Sequence, residues 1–193
     1  MPVVDGQSAN PGVWNVANAM TLLRLLLVPV FVVLLFIDGG DDPGSRIAAF
    51  VVFAIAMITD RLDGELARRR GVVTDVGKIA DPIADKALTG AAFIGLSLLG
   101  ELPWWVTIVV LVREWGITAM RLAVLRYAVL PANRGGKLKT ALQALALSLY
   151  ILPLPDSWEP VQAGAMALAV AVTIVTGVDY VLQARRLRRA GTA

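Results

Sequence analysis

The stretch ITDRLDGELARRR, Ile58 to Arg70, decides how this chain is read. It overlaps the end of IAAFVVFAIAMIT, Ile47 to Thr59, a run that is almost wholly apolar. Thirteen helical residues rise only about 20 Å, short of the roughly 30 Å of a bilayer's hydrocarbon core. Asp60 and Asp63 therefore either end a segment too short to span, or lie inside a bilayer for a chemical reason. The rest of the chain has to choose between these.

Composition favours the bilayer. The chain has 193 residues, 57% of them hydrophobic and 17% charged, with a mean hydropathy of +0.69. Soluble domains are nearer 45–50% apolar and about 25% charged. With no cysteine there is no disulfide framework or thiolate site, and with no histidine there is no imidazole base or ligand. Any bound metal must then be held by oxygen, which favours hard cations such as Mg²⁺ or Mn²⁺. The basic residues stand in short clusters beside apolar runs, a membrane-topology pattern, so no nucleic-acid partner is expected. The first fifteen residues carry no basic region of the kind that opens a signal peptide.

Six apolar segments follow one another: residues 15–37, 47–67, 79–99, 103–130, 138–154 and 161–182. Continuous runs of this length predict helices. The expected fold is an all-α integral membrane bundle of six transmembrane helices. It forms one domain over 1–193, with a short N-terminal segment 1–14 and a basic tail 183–193. The joints after the first, third and fifth segments hold Asp38, Asp41, Asp42, Arg46, Glu101, Asp156 and Glu159, one basic residue among seven charges. The other joints and the C-terminus hold Arg68, Arg69, Arg70, Lys78, Arg134, Lys137, Arg185, Arg186, Arg188 and Arg189. The positive-inside rule then places both termini in the cytoplasm, in a multi-pass protein of the cytoplasmic membrane. Trp104, Trp105 and Trp158 fall at the outer interface and Trp14 at the inner one, as an aromatic belt requires. Ala87, Ala91 and Gly95 form a small-residue stripe that allows close helix contact, within one chain or between two.

On this topology the carboxylates gather at one depth. Asp60 lies about 20 Å below the outer face, and Asp85, fourteen residues from the outer end of the third helix, about 21 Å below it. The spacings 60/63 and 81/85 put each pair on one face of its helix. Two neighbouring antiparallel helices thus bring four aspartates to one point in the inner half of the bilayer. Four bare carboxylates there would repel one another and suffer desolvation, and divalent cations relieve both costs. Two such ions suit an in-line displacement at phosphorus. Asp75, by contrast, reads as an ordinary helix end. Pro82 either starts the third helix or kinks it. Arg68 offers a planar fork to phosphate, and Gly64 and Gly77 allow close backbone approach.

These residues spell Asp60-x2-Asp63-Gly64-x2-Ala67-Arg68-x8-Gly77-x3-Asp81-x3-Asp85. That spelling resembles, at all eight fixed positions, the CDP-alcohol phosphotransferase signature D-x2-D-G-x2-A-R-x8-G-x3-D-x3-D. Beyond it, NVANAMTLLR (15–24), REWGITAMR (113–121) and GKLKTALQ (136–143) resemble segments of the bacterial phosphatidylglycerophosphate synthases of that family.

The resemblance implies a metal-dependent, usually homodimeric membrane enzyme of phospholipid biosynthesis. Such an enzyme moves a phosphatidyl group from CDP-diacylglycerol to an alcohol and releases CMP, at a site facing the cytoplasm. It implies Asp60, Asp63, Asp81 and Asp85 as ligands of two Mg²⁺ or Mn²⁺ ions, with Asp85 also the base. Asp63, Gly64, Ala67, Arg68, Thr74 and Gly77, with Asn18 and Thr21, would bind the nucleotide. Arg113 and Glu114 break an apolar run where charge is costly, which usually marks function. A cluster of Arg113, Arg121, Lys137 and Lys139 would suit a phosphorylated acceptor such as glycerol 3-phosphate. The alternatives are a structural Arg113–Glu114 pair and lysines that only anchor an interface. Inositol phosphate, or phosphatidylglycerol as in cardiolipin synthesis, are rival acceptors. A divalent-cation transporter would also use an aspartate cluster, but the paired halves common in transporters are not visible here.

Overall fold

The computed structural model describes the backbone of residues 16–70, 75–124 and 134–190, and the side chains of 22–59, 86–120 and 135–183. Six helices follow in order: α1 Val16–Phe36, α2 Pro43–Arg70, α3 Asp75–Leu98, α4 Trp104–Val124, α5 Arg134–Ile151 and α6 Glu159–Ala190. Short 3-10 turns, Ile37–Gly40 and Asp156–Trp158, lie in the joints before α2 and α6. No strand occurs among the described residues.

Among the described residues, two stretches, Leu22–Gly40 and Asp156–Gln183, are long and apolar enough to cross a membrane. Within the described residues, α2 and α3 contribute the shorter apolar stretches Pro43–Thr59 and Lys86–Leu98. Large apolar side chains face outward on every helix; Val112 and Val175 are each 67% exposed. A surface of that kind suits lipid tails better than water.

α2 opens where hydropathy alone hides it. Asp42 accepts a hydrogen bond from the Ser45 backbone N–H at 2.7 Å, and Ser45 Oγ returns one to the Asp42 carbonyl at 2.9 Å. Pro43 occupies the first helical position, where its missing N–H costs nothing. The bond from Ser45 to its carboxylate holds Asp42 below the usual carboxylate pKa. α3 begins at Asp75 and runs on through position 82, so Pro82 does not start the helix. α5 begins at Arg134, four residues before its apolar segment.

The core is built from Phe31, Leu35, Phe53, Phe93, Leu96 and Leu147, all essentially inaccessible. The Phe31 and Phe53 rings pack 5.8 Å apart, tilted by 43°. α1 lies along both α2 and α3, while among the described residues α2 and α3 touch only lightly. Among the described residues, the outer halves of the two signature helices are thus held together through α1. Gly95 makes this possible: a Cβ there would sit 2.6 Å from Leu35 Cδ2. The small-residue stripe thus contributes to contact within the chain. α6 packs on α5 and α4.

At the end of the bundle that carries the α1–α2, α3–α4 and α5–α6 joints, Arg46 ties three elements together. Its Nη1 and Nη2 donate to Glu101 Oε1 and Oε2 at 2.6 and 2.8 Å. Its Nε donates to the Ile151 carbonyl at 2.9 Å and Nη2 to the Tyr150 carbonyl at 2.6 Å. Those carbonyls end α5 and have no helical partner of their own, so the guanidinium caps the helix while holding the acid. Trp104, Trp105 and Trp158 stand exposed at this same end; Trp14 lies outside the described residues.

Candidate functional site

Asp60, Asp63, Gly64, Ala67 and Arg68 fall on the last turns of α2, and Gly77, Asp81 and Asp85 on the first turns of α3. Asn18 and Thr21 lie on α1 and Arg121 on α4. The side chains of all these residues, and Thr74 entirely, lie outside the described residues. Among the described residues no group of three or more acids could hold a metal ion. The donor chemistry of the four signature aspartates, oxygen only, nevertheless fits a hard divalent cation.

Beside the signature, the described side chains line a small, partly open cleft. Met57 from α2 and Lys86 from α3 line it. Met57 stands one helical turn before Asp60, and Lys86 directly follows Asp85. The cleft therefore adjoins both halves of the aspartate set along the chain. From α4 it takes Glu114 and Trp115, and from α5 Lys139, Thr140 and Gln143. Two segments far apart in sequence, REWGITAMR and GKLKTALQ, meet here.

Glu114 is the centre of the polar wall. Its Oε1 accepts from Arg113 Nη1 at 3.1 Å and from Lys139 Nζ, and its Oε2 lies 3.5 Å from Lys86 Nζ. Helix geometry explains the meeting. Glu114 is ten residues along α4 from Trp104, about 15 Å. Lys86 and Lys139 are each twelve residues from the same end of the bundle along α3 and α5, about 18 Å. Side chains at matching depth on three packed helices can then share one carboxylate. Lys139 is only 5% exposed, so isolating its charge there would be costly.

Arg113 is seated from the other side by α6. Its Nη2 donates to Thr176 Oγ1 at 3.0 Å. Gly177 leaves room for the stem: a Cβ at that position would stand 3.1 Å from Arg113 Cγ. The buried Nε makes no hydrogen bond to any described residue. One turn along α6, Thr173 accepts a bond from Gln143 Nε2 at 2.9 Å, tying the cleft's α5 wall to α6.

Of the four cations expected to form one cluster, Arg113 and Lys139 come together. Lys137 is exposed and does not line the cleft. Arg113 and Glu114 do pair, but within a larger group and without interrupting α4, which is continuous through them. Arg24, on the α1 face that also carries Asn18 and Thr21, is buried at 4% exposure. Lys86, Thr176 and Gly177 were not singled out by their sequence. Lys86 sits in the shadow of Asp85. The signal for α6 was available: Thr173, Thr176 and Gly177 interrupt an apolar helix on one face, at helical spacing.

Comparison with known proteins gives the family. Residues 14–175 match the model of the CDP-alcohol phosphatidyltransferases. The chain is 54% identical over 172 residues to a Mycobacterium tuberculosis protein named "Probable phosphatidylglycerophosphate synthase", covering 89% of this chain and 82% of that one. It is 36% identical over 180 residues to the Bacillus subtilis CDP-diacylglycerol–glycerol-3-phosphate 3-phosphatidyltransferase, covering 86% and 93%. It is also 33% identical over 188 residues to the CMP-forming cardiolipin synthase of Streptomyces coelicolor, covering 94% and 87%. With an aspartate signature on two helices, a cationic cleft beside it and a family match over most of its length, this chain belongs to the CDP-alcohol phosphatidyltransferase family of transferases.

Proposed function

We propose that the protein transfers the phosphatidyl group of CDP-diacylglycerol to sn-glycerol 3-phosphate, giving phosphatidylglycerophosphate and CMP. The observation that carries the choice of acceptor is the cationic group at the cleft: Lys86 and Lys139 line it, and Arg113 shares Glu114 with them. Cations in that arrangement suit an acceptor bearing a phosphate monoester. The names of the M. tuberculosis and B. subtilis relatives support the same acceptor.

Asp60, Asp63, Asp81 and Asp85 are the ligands for two Mg²⁺ or Mn²⁺ ions in this reading. When bound, the ions neutralise the diphosphate and stabilise charge on the leaving CMP. Asp63, Gly64, Ala67, Arg68, Thr74, Gly77, Asn18 and Thr21 hold the nucleotide. Lys86, Arg113 and Lys139 hold the acceptor's phosphate, and Arg121 and Lys137 draw it toward the cleft. Asp85 accepts the proton of the acceptor hydroxyl as that oxygen attacks the phosphatidyl phosphorus. The bond from phosphorus to the CMP oxygen breaks, and CMP leaves with the electron pair. The lipid's acyl chains stay among the membrane lipids throughout.

The same reading makes the chain one six-span domain of the cytoplasmic membrane. Its termini and active site face the cytoplasm, and it works as a homodimer. Charge distribution between the joints supports the orientation.

The test is CMP release from CDP-diacylglycerol by the purified protein, with glycerol 3-phosphate, inositol phosphate or phosphatidylglycerol as acceptor. Glycerol 3-phosphate should support turnover, EDTA should stop it, and Mg²⁺ or Mn²⁺ should restore it. Turnover with phosphatidylglycerol alone would move the assignment to the reaction named for the S. coelicolor relative. Asp85→Asn should abolish turnover and keep nucleotide binding; CMP release at the wild-type rate would remove the base from Asp85.

A further inference from the structure

Glu114 has no task in the chemistry above, yet it is bonded to Lys86 and Lys139, which line the cleft, and to Arg113 beside it on α4. A carboxylate in an anion-binding pocket should weaken it, since it competes for the same donors. Three cations in a largely buried site, however, repel one another strongly at low effective dielectric. Each belongs to a different helix, so without a common acceptor nothing brings their ammonium and guanidinium groups to one point. Glu114 supplies that acceptor with both oxygens. Among the described residues it leaves two positive charges unbalanced, and a phosphate monoester dianion matches two where a diester's single charge does not. Lys86 and Lys139 also line a partly open cleft rather than a solid core.

We infer that Glu114 is a positioning residue: it holds Lys86, Arg113 and Lys139 in a convergent arrangement that an incoming phosphate monoester then shares. This rests on the reading that the cleft receives the acceptor's phosphate. Thr176 and Gly177 act on the same arrangement through Arg113, fixing the guanidinium from the side away from the cleft.

The experiment compares Glu114→Gln and Glu114→Asp with wild type in detergent micelles. Glu114→Gln should raise KM for glycerol 3-phosphate by about tenfold or more, the size expected when charge-assisted bonds to a ligand are lost. KM for CDP-diacylglycerol should stay within about twofold of wild type. Glu114→Asp keeps the charge on a shorter stem and should fall between the two; it also carries the test if Glu114→Gln does not fold. As a readout independent of turnover, inorganic phosphate should raise the thermal midpoint of wild type clearly and of Glu114→Gln little. Several results would overturn the inference: KM rising equally for both substrates, a loss confined to kcat, or a KM for glycerol 3-phosphate that falls because a competitor has gone. Under the second variant alone, a wild-type KM overturns it. A wild type that neither uses glycerol 3-phosphate nor responds to phosphate instead breaks the functional reading, and this inference falls with it.

Discussion

Two arginines, each bonded to a glutamate, stand at different levels of the same bundle and do opposite things. Arg46 is closed: two bonds to Glu101 and two to the last carbonyls of α5 engage Nε, Nη1 and Nη2 alike. Arg113 is open: it gives one bond to Glu114 and one to Thr176, and its neighbours are two more cations. The first arrangement is complete without a ligand. The second has more donors than acceptors among the described residues, which is the condition of a binding site rather than of a structural tie. Burial alone does not separate them, because both side chains are mostly hidden. What separates them is whether every donor already has its partner.

That contrast can be broken most forcefully at Arg46. Arg46→Met leaves the Glu101 carboxylate and two α5 carbonyls without their donor, a loss of roughly 3 kcal/mol. A large drop in the thermal midpoint in detergent is expected, with KM for both substrates unchanged in the folded fraction. A midpoint equal to wild type would mean the tie is idle.

Gly177→Ala sharpens the other half. A methyl 3.1 Å from Arg113 Cγ moves a flexible stem rather than backbone, so stability should change by less than about 1 kcal/mol. KM for glycerol 3-phosphate should nevertheless rise several-fold while KM for CDP-diacylglycerol holds. Equal changes in both would show that Gly177 serves packing alone.

The smallest effect belongs to Asp42, a cap at the Arg46 end. Its folded pKa lies below the ordinary value of 3.8. Its contribution is therefore full above that value and is lost as pH falls through the lower folded pKa. Asp42→Ala should lower the midpoint slightly at neutral pH, and melting curves at decreasing pH should converge with wild type. A gap that persists in strong acid would mean that the carboxylate is not the source.

Much of this was legible from the residues. The six helices follow from six continuous apolar runs, and charge at the joints marks where they end. Helix starts were less legible, because hydropathy cannot see a polar first turn. α2 begins at its Asp42 cap and α5 at Arg134, each ahead of the apolar segment it carries. Lys137 and Lys139 looked equivalent in sequence. Two residues apart on a helix they point about 200° from one another, so only one can face the cleft. It is Lys139. Lys86 could not be told from an interface lysine until α4 and α5 were seen to bring Glu114 and Lys139 to its level. The aspartate signature was legible at once, because its intervals lie within two helical stretches. The cleft was not, because its walls come from four helices.

Gly95 and Leu35 carry a last consequence. α1 behaves as a shim, inserted along both signature helices where Gly95 has no side chain to oppose it. At the level of the described core, the spacing of α2 and α3 is tied to how α1 seats against both. Leu35 lies far along the chain from every signature aspartate, yet trimming it would loosen the contact with Gly95 on which that spacing rests. Tolerance to substitution along α1 should then follow how well each change preserves the spacing of two other helices, and not the pattern expected of a helix that merely anchors the protein in lipid.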